Sequence, residues 1–174
     1  SSWLHQDTSY LANDRPRYTM LMGIEIPKGQ GNTIFSSGFN AYEKLPDEIK
    51  NKIKNATGIF SSAGPIAVTR LEREKEMGIE SSNSMEAEHP IVKRVNGKNT
   101  LYVSPGHLMK IKNVDEKDAT YLKKYLVEHV NKKEFIFSYE WSKGDICLWD
   151  NLSILHMASE IKNCRRVMHR ITMK

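Results

Sequence analysis

Residues 134–149 read EFIFSYEWSKGDICLW, and the prediction of the fold rests on the pattern within this stretch. Its first half is rich in aromatic and β-branched residues, Gly144 and Asp145 predict a turn, and four apolar residues follow. We therefore expect two β-strands separated by a turn. Runs of the same kind, bounded by glycine, proline or other turn residues, recur along the chain at residues 17–26, 33–37, 101–103 and 165–173.

Two other stretches have the apolar spacing of helices. In residues 40–55 we expect Pro46 to break the helix in two. In residues 115–130 the apolar period continues to the end, and Asp115 stands where it can cap the first turn. Residues 61–89 carry neither pattern, so we expect a lid or a disordered loop there. A few helices beside many short strands predict a mainly β fold of the double-sheet, jelly-roll type.

Composition limits the classes of function. The chain has 174 residues, of which 39% are hydrophobic and 27% charged, as in a soluble globular domain with its own core. Its net charge of +5 is spread among mixed acids and lysines, so we expect no nucleic-acid partner. No apolar run is long enough to span a membrane and no secretory signal is visible, which predicts a cytoplasmic protein. The two cysteines lack the spacing of a disulfide framework or a zinc site.

His5, Gln6 and Asp7 form the first motif that can bind a metal. On a strand, residues two apart face the same way, so His5 and Asp7 would point together while Gln6 turns away. An imidazole and a carboxylate on one face can occupy two adjacent positions of a divalent metal. Alone, the motif fits an exposed pair near a chain terminus equally well.

The C-terminal part adds a third candidate ligand and two cations. His156 follows Trp149-Asp150-Asn151, and two histidines with one carboxylate suit non-haem iron(II), because they leave positions open for a cosubstrate and oxygen. On a strand over residues 165–170, Arg166 and Arg170 share one face. If this face points into the barrel, anionic ligands would satisfy the two guanidinium groups. Otherwise the two arginines lie on the surface of an edge strand.

In their order and spacing, these and further motifs resemble the taurine dioxygenase family, which includes the 2,4-dichlorophenoxyacetate dioxygenases. The resemblance extends from Trp3 to Met173, and it is specific as a set although each motif is weak by itself. The matching stretches are HQD at 5–7, RYTML at 17–21, GNTIF at 31–35, AYE at 41–43, LYVSPGH at 101–107, GD at 144–145, WDN at 149–151, His156 and RRVMHR at 165–170.

The resemblance implies a double-stranded β-helix with iron(II) at its open end. It implies His5, Asp7 and His156 as the metal ligands and catalytic centre. It also implies that Thr33 and Arg166 bind the distal carboxylate of the cosubstrate, 2-oxoglutarate.

Three further residues match positions that line the pocket in this family. Arg170 matches an arginine that contacts the substrate anion, Trp149 an aromatic residue near the iron, and His107 a pocket residue of variable identity. The implied enzyme is an oxidoreductase, an iron(II)- and 2-oxoglutarate-dependent dioxygenase that uses O2 to hydroxylate a small anionic substrate and releases succinate and CO2. Asp7 favours hydroxylation, because related halogenases have a small residue at this position.

The chain also departs from the family pattern. Leu152 stands where many relatives have arginine, and Met157 stands where arginine or tyrosine is common. Both changes leave the substrate class open. Only four residues precede His5, so we expect a single oxygenase domain over residues 1–174 that lacks the family's N-terminal segment. A homo-oligomer is compatible with the sequence. The alternative function is a non-catalytic or non-oxidative, cupin-like metal-binding jelly roll, which would not need the pair of Arg166 and Thr33.

Overall fold

Short antiparallel strands dominate the fold. The computed structural model describes residues 3–78 and 83–174, and within these ranges the chain forms eleven β-strands and four α-helices. The strands are β1 (Tyr18–Glu25), β2 (Thr33–Ser37), β3 (Thr57–Ser61), β4 (Glu86–Pro90), β5 (Val92–Val95), β6 (Lys98–Leu101), β7 (Leu108–Lys112), β8 (Ile136–Tyr139), β9 (Ile146–Asp150), β10 (Ile154–Ala158) and β11 (Val167–Met173). The helices are α1 (Gly38–Glu43), α2 (Asp47–Ile53), α3 (Val68–Glu76) and α4 (Glu116–Val130). The mainly β class with a few helices is confirmed.

Two three-stranded sheets, ordered β11-β1-β9 and β10-β2-β8, lie around the candidate site. All strand pairs in them are antiparallel, and β1 pairs with both β9 and β11 over most of its length. Phe35 of β2 contacts Trp149 of β9 with ring centroids 5.4 Å apart. The sheet faces that carry these two residues therefore face each other. His156 is the cross-strand partner of Phe35, so its side chain lies on this interior face.

The predicted turn at Gly144 and Asp145 separates β8 from β9, as expected. Gly144 has φ +90°, a backbone conformation that glycine adopts without steric cost. The carboxylate of Asp145 accepts hydrogen bonds from the backbone N–H of Ser142 at 2.7 Å and from the hydroxyl of Tyr139 at 3.1 Å. These bonds satisfy polar groups that the turn removes from the sheet ladder.

A third sheet, β4-β3-β7, and the hairpin β5-β6 complete the strands of the described residues. Helix α4 packs on β7 and buries Leu122, Leu126 and Val130. These side chains belong to a core that also takes in Ile53, at the end of α2. The core lies on the side of the β10-β2-β8 sheet away from His156, since Leu155 and Ser36 are fully buried there and Ser36 donates to the Val130 carbonyl.

Both helix predictions are confirmed. The first helix is interrupted at Pro46, which has an extended conformation (φ −58°, ψ 146°) between α1 and α2. The carboxylate of Asp115 accepts from the backbone N–H of Lys117 and caps α4, whose first turn contains Glu116 and Asp118. None of the helices in the described ranges is both long enough and apolar enough to cross a bilayer.

Residues 61–89 contain more regular structure than their sequence predicts. A 3-10 turn over Pro65–Ala67 leads into α3, and β4 begins at Glu86. The helix was missed because its sequence, VTRLEREKE, has two apolar residues and no apolar period. Residues 79–82 of this segment lie outside the described residues.

Candidate metal centre

An isolated backbone bridge connects the first motif to β10. The N–H of His5 donates to the carbonyl of His156 at 3.0 Å, and the N–H of His156 donates to the carbonyl of His5 at 2.9 Å. Side chains of such a directly opposed pair emerge on the same face. The two imidazole rings accordingly lie with centroids 4.4 Å apart. Asp7, two residues after His5, points to the same face, as the strand parity predicts.

The three predicted ligands are together. One ligand atom each from His5, Asp7 and His156 lies within 4.8 Å of the other two. Nε2 of His5 is 3.9 Å and Nε2 of His156 is 3.5 Å from Oδ1 of Asp7. Asp7 and His156 are buried, and His5 is partly exposed. Two imidazole nitrogens and one carboxylate oxygen that converge in this way fit the ligand set of a mononuclear divalent metal site.

The protonation state of His5 suits a ligand. Its Nδ1 lies 3.0 Å from the backbone carbonyl of Trp3, which can only accept, so Nδ1 carries the hydrogen and Nε2 offers its lone pair. Burial, reinforced by the neighbouring His156, lowers the pKa of His5 from 6.5 to about 3. The ring is therefore neutral at pH 7, which is the form that binds metals.

The two carboxylate oxygens of Asp7 have different partners. Oδ1 faces the two histidines, whereas Oδ2 accepts a 2.6 Å hydrogen bond from the hydroxyl of Thr19 and lies 2.6 Å from Nη2 of Arg170. Burial favours the protonated form, but the contacts with His156, Thr19 and Arg170 outweigh it and hold the pKa of Asp7 well below its usual range. The carboxylate is therefore ionised throughout the physiological pH range.

Arg166 and Thr33 form a second polar group on the interior face. Nη2 of Arg166 donates to Oγ1 of Thr33 at 3.4 Å, and Nε1 of Trp141 donates to the same oxygen at 2.9 Å. Nε of Arg166 is buried and has no hydrogen-bond partner in the part of the chain that the structure describes. Burial also lowers the pKa of this guanidinium. No carboxylate of the described residues forms an ion pair with Arg166. A buried, unpaired donor of this kind fits a bound anion.

Trp149 and His107 each lie against one histidine of the candidate site. The ring of Trp149 is 4.6 Å from that of His156, and its Nε1 donates to Oδ1 of Asn151. His107 approaches the ring of His5 edge-on at 5.7 Å. Nδ1 of His107 bonds to the hydroxyl of Ser9 at 2.8 Å, and the residue is 5% exposed.

Some residues around the centre are not marked by any pattern in the sequence. Thr19, Ser9 and Trp141 hydrogen-bond to predicted site residues, although each reads as an ordinary strand or loop residue. Asn151 also belongs to this group, since its side chain donates to the hydroxyl oxygen of Thr19 at 2.8 Å. Thr19 of β1 lies opposite Trp149 of β9. The sequence does not reveal this register, because the two strands are far apart along the chain.

A mainly antiparallel β fold with two histidines and one carboxylate on an interior face is typical of mononuclear, non-haem metal proteins. The sequence matches the family described as "Taurine catabolism dioxygenase TauD, TfdA family" over residues 1–172. The chain belongs to this family, and the prediction from the motifs is confirmed.

Individual relatives agree with this assignment. The chain is 31% identical over 184 residues to an alkylsulfatase of Acinetobacter baylyi, and 27% identical over 184 residues to an alpha-ketoglutarate-dependent sulfate ester dioxygenase of Pseudomonas putida. Each alignment covers 99% of this chain, but only 56% and 59% of the respective relatives. The crystal structure of a taurine dioxygenase from Burkholderia xenovorans matches with a TM-score of 0.81 and 26% identity, over 99% of this chain and 56% of that one. The chain thus spans little more than half the length of these relatives.

Proposed function

We propose that this chain carries the catalytic centre of an iron(II)- and 2-oxoglutarate-dependent dioxygenase that hydroxylates a small anionic organic molecule. His5, Asp7 and His156 converge on an interior face, and this observation carries the proposal. Arg166 lies on the same face beside Thr33 and has no acidic partner among the described residues. Iron(II) with 2-oxoglutarate and O2 would supply the oxidation, converting the cosubstrate to succinate and CO2 and the substrate C–H bond to C–OH.

His5, Asp7 and His156 would hold the iron. The neutral ring of His5 and the ionised carboxylate of Asp7 are already in their metal-binding protonation states, so metal binding need not displace a proton from either. Three protein ligands leave the remaining positions for the cosubstrate and oxygen.

Thr33 and Arg166 would bind the distal carboxylate of 2-oxoglutarate. The Thr33 oxygen already accepts from Trp141 and Arg166, so its own hydroxyl hydrogen remains available to donate. Nε of Arg166 is a second unused donor. A carboxylate beside these two residues would satisfy both, and each charge-assisted bond of this kind is worth about 1.5–3 kcal/mol.

Arg170 would contact the anionic group of the substrate. Its side chain is 48% exposed while it reaches Asp7, so it lies between the metal ligand and solvent. The relatives include a sulfate ester dioxygenase and an alkylsulfatase, which supports an anionic substrate class. Trp149 and His107 contact the two ligand histidines, and we assign them to the border of the substrate pocket.

We also infer that the sheets β11-β1-β9 and β10-β2-β8 are the two layers of a double-stranded β-helix. Support comes from the contact between Phe35 and Trp149, which brings the interior faces together. It also comes from the antiparallel pairing throughout both sheets and from the single bridge that adds the His5 segment beside β10.

Anaerobic addition of iron(II) and 2-oxoglutarate tests the proposal, because their chelate gives a weak visible charge-transfer band. The band should form with the wild-type protein and be lost in His156→Ala and Arg166→Ala. Arg165→Ala is the matched control, since Arg165 is exposed and pairs with Glu25 instead. Absence of the band from folded, metal-loaded wild-type protein would overturn the dioxygenase and favour the non-oxidative metal-binding jelly roll.

A further inference from the structure

Asp7 belongs to a closed ring of hydrogen bonds with Thr19 and Asn151. Thr19 is fully buried, and its hydroxyl donates to Oδ2 of Asp7 at 2.6 Å. Nδ2 of Asn151 in turn donates to the Thr19 oxygen at 2.8 Å. Oδ1 of Asn151 accepts from Nε1 of Trp149 at 3.1 Å and from the backbone N–H of Asp7 at 3.4 Å.

This arrangement determines the direction of the Thr19 hydroxyl. The indole and backbone N–H groups can only donate, so the amide oxygen of Asn151 must face them and its NH2 group must face Thr19. Thr19 therefore accepts from Asn151, and its single hydrogen is directed to Asp7. Oδ2 of Asp7 is thereby engaged, while Oδ1 faces both histidines.

We propose that Thr19 is a positioning residue that keeps Oδ2 of Asp7 off the metal, so that the aspartate binds through Oδ1 alone. The inference rests on the proposed metal site. One-oxygen ligation preserves a coordination position that a chelating carboxylate would occupy, and that position is needed for the cosubstrate or oxygen. Hydrogen-bonded partners behind metal ligands commonly have this orienting effect.

Arg170 cannot replace Thr19 in this role. Its guanidinium also contacts Oδ2, but the side chain is 48% exposed and is free to exchange that contact for solvent or for an anion. Thr19 has no exposed surface, and its hydroxyl is held by Asn151. It is the donor that stays on Oδ2 when Arg170 moves away.

Cobalt(II) is a suitable probe, because the intensity of its visible bands falls as its coordination number rises. Thr19→Val removes the hydroxyl with little change of shape, and Thr19→Ala is a second variant without a donor. Thr19→Ser retains the hydroxyl. Thr100→Val is the matched control, since Thr100 is equally buried but its hydroxyl has no hydrogen-bond partner among the described residues. Binding of cobalt(II) and the visible spectrum of the complex are measured for each.

We expect Thr19→Val and Thr19→Ala to bind cobalt(II) about 10–100-fold more weakly, with weaker visible bands, and Thr19→Ser and Thr100→Val to match the wild type. If wild-type protein binds cobalt(II) and Thr19→Val has the same affinity and spectrum, the role of Thr19 is wrong while the metal site stands. If wild-type protein itself fails to bind cobalt(II), the proposed metal site is wrong, and the inference about Thr19 is wrong with it.

Discussion

His5 and His156 exchange two backbone hydrogen bonds, and their imidazole rings lie 4.4 Å apart on one face. This relationship shows how a candidate metal site is assembled from two distant parts of the chain. The bridge sets the spacing of the two imidazole rings, and strand parity brings the carboxylate of Asp7 to them. Both histidines are held by their own backbone, so the spacing of the two rings is set by the fold.

Metal should stabilise the folded protein through these three ligands. We expect manganese(II) at about 100 times its Kd to add about 2.7 kcal/mol to the free energy of unfolding of chelator-treated protein. His156→Ala should abolish this gain, measured by urea unfolding with and without metal. His169→Ala is the control, because His169 lies exposed on β11, and it should retain the full gain. Equal stabilisation of His156→Ala and wild type would contradict the assignment.

Gly31 should be required for the position of Arg166. A Cβ at residue 31 would lie 2.7 Å from Cδ of Arg166, and φ is +72° there. Gly29 has a similar φ of +69°, but a Cβ there would meet nothing within 4 Å. We expect Gly31→Ala to weaken 2-oxoglutarate binding about tenfold or more, the loss of one charge-assisted bond, and Gly29→Ala to leave it unchanged.

Titration of the charge-transfer band with 2-oxoglutarate measures both affinities. Both variants should lose about 1–2 kcal/mol of stability, because each places a side chain at positive φ. Their difference in affinity therefore reports the displacement of Arg166 alone. Equal affinities in the two variants would show that Arg166 does not depend on the space beside Gly31.

His89 should make the stability depend on pH. Burial, with a smaller contribution from Lys93 and Arg15, lowers the pKa of His89 from 6.5 to about 4. Between these values the unfolded chain binds a proton that the folded chain does not, so the contribution of His89 is complete above pH 6.5 and is lost as pH falls towards 4. Each extra proton gives a slope of about 1.4 kcal/mol per pH unit.

Urea unfolding from about pH 7 to about pH 4 tests this slope. His89→Asn should reduce it, whereas His169→Asn, the same change at an exposed position, should not. Part of the slope should persist in His89→Asn, because burial lowers the pKa of His5 and His107 as well. An unchanged slope in His89→Asn would show that His89 takes up its proton equally in both states.

Truncation of the α4 core should be costly. Leu126 is fully buried against the core, and Leu126→Ala should reduce the free energy of unfolding by about 2–5 kcal/mol. Lys124→Ala changes the same helix at a side chain that is 77% exposed and should alter stability by less than about 0.5 kcal/mol. Chemical denaturation of both variants measures the difference. A loss below about 1 kcal/mol for Leu126→Ala would mean that the helix does not support the fold.

The sequence predicted those structural features that depend on interactions between neighbouring residues. The interruption at Pro46, the cap at Asp115 and the turn at Gly144 depend on neighbouring residues, and all three were predicted. The polar helix α3 was not, because nothing in VTRLEREKE marks a buried face. Local rules thus predicted these three features, and they failed for α3, which has neither clear punctuation nor an apolar period.

The sequence by itself determined which candidate ligands the chain contains and which of them share a face of an extended segment. Residues two apart on an extended segment share a face, and residues four apart do so as well, which pairs His5 with Asp7 and Arg166 with Arg170 on sequence spacing alone. The family followed from the order of these motifs along the chain, and the match over residues 1–172 confirms it.

Only the tertiary structure decided how those residues are held. Thr19 and Asn151 are 132 residues apart in sequence and share a hydrogen bond, as do Thr33 and Trp141 at a separation of 108. Such contacts depend on the register between strands and on burial, which removes competing water from a hydroxyl or an amide. The sequence around a threonine in a strand does not indicate its hydrogen-bond partner. The assembly of the sheets therefore decides that Oδ1 of Asp7 faces the two histidines while Oδ2 bonds to Thr19.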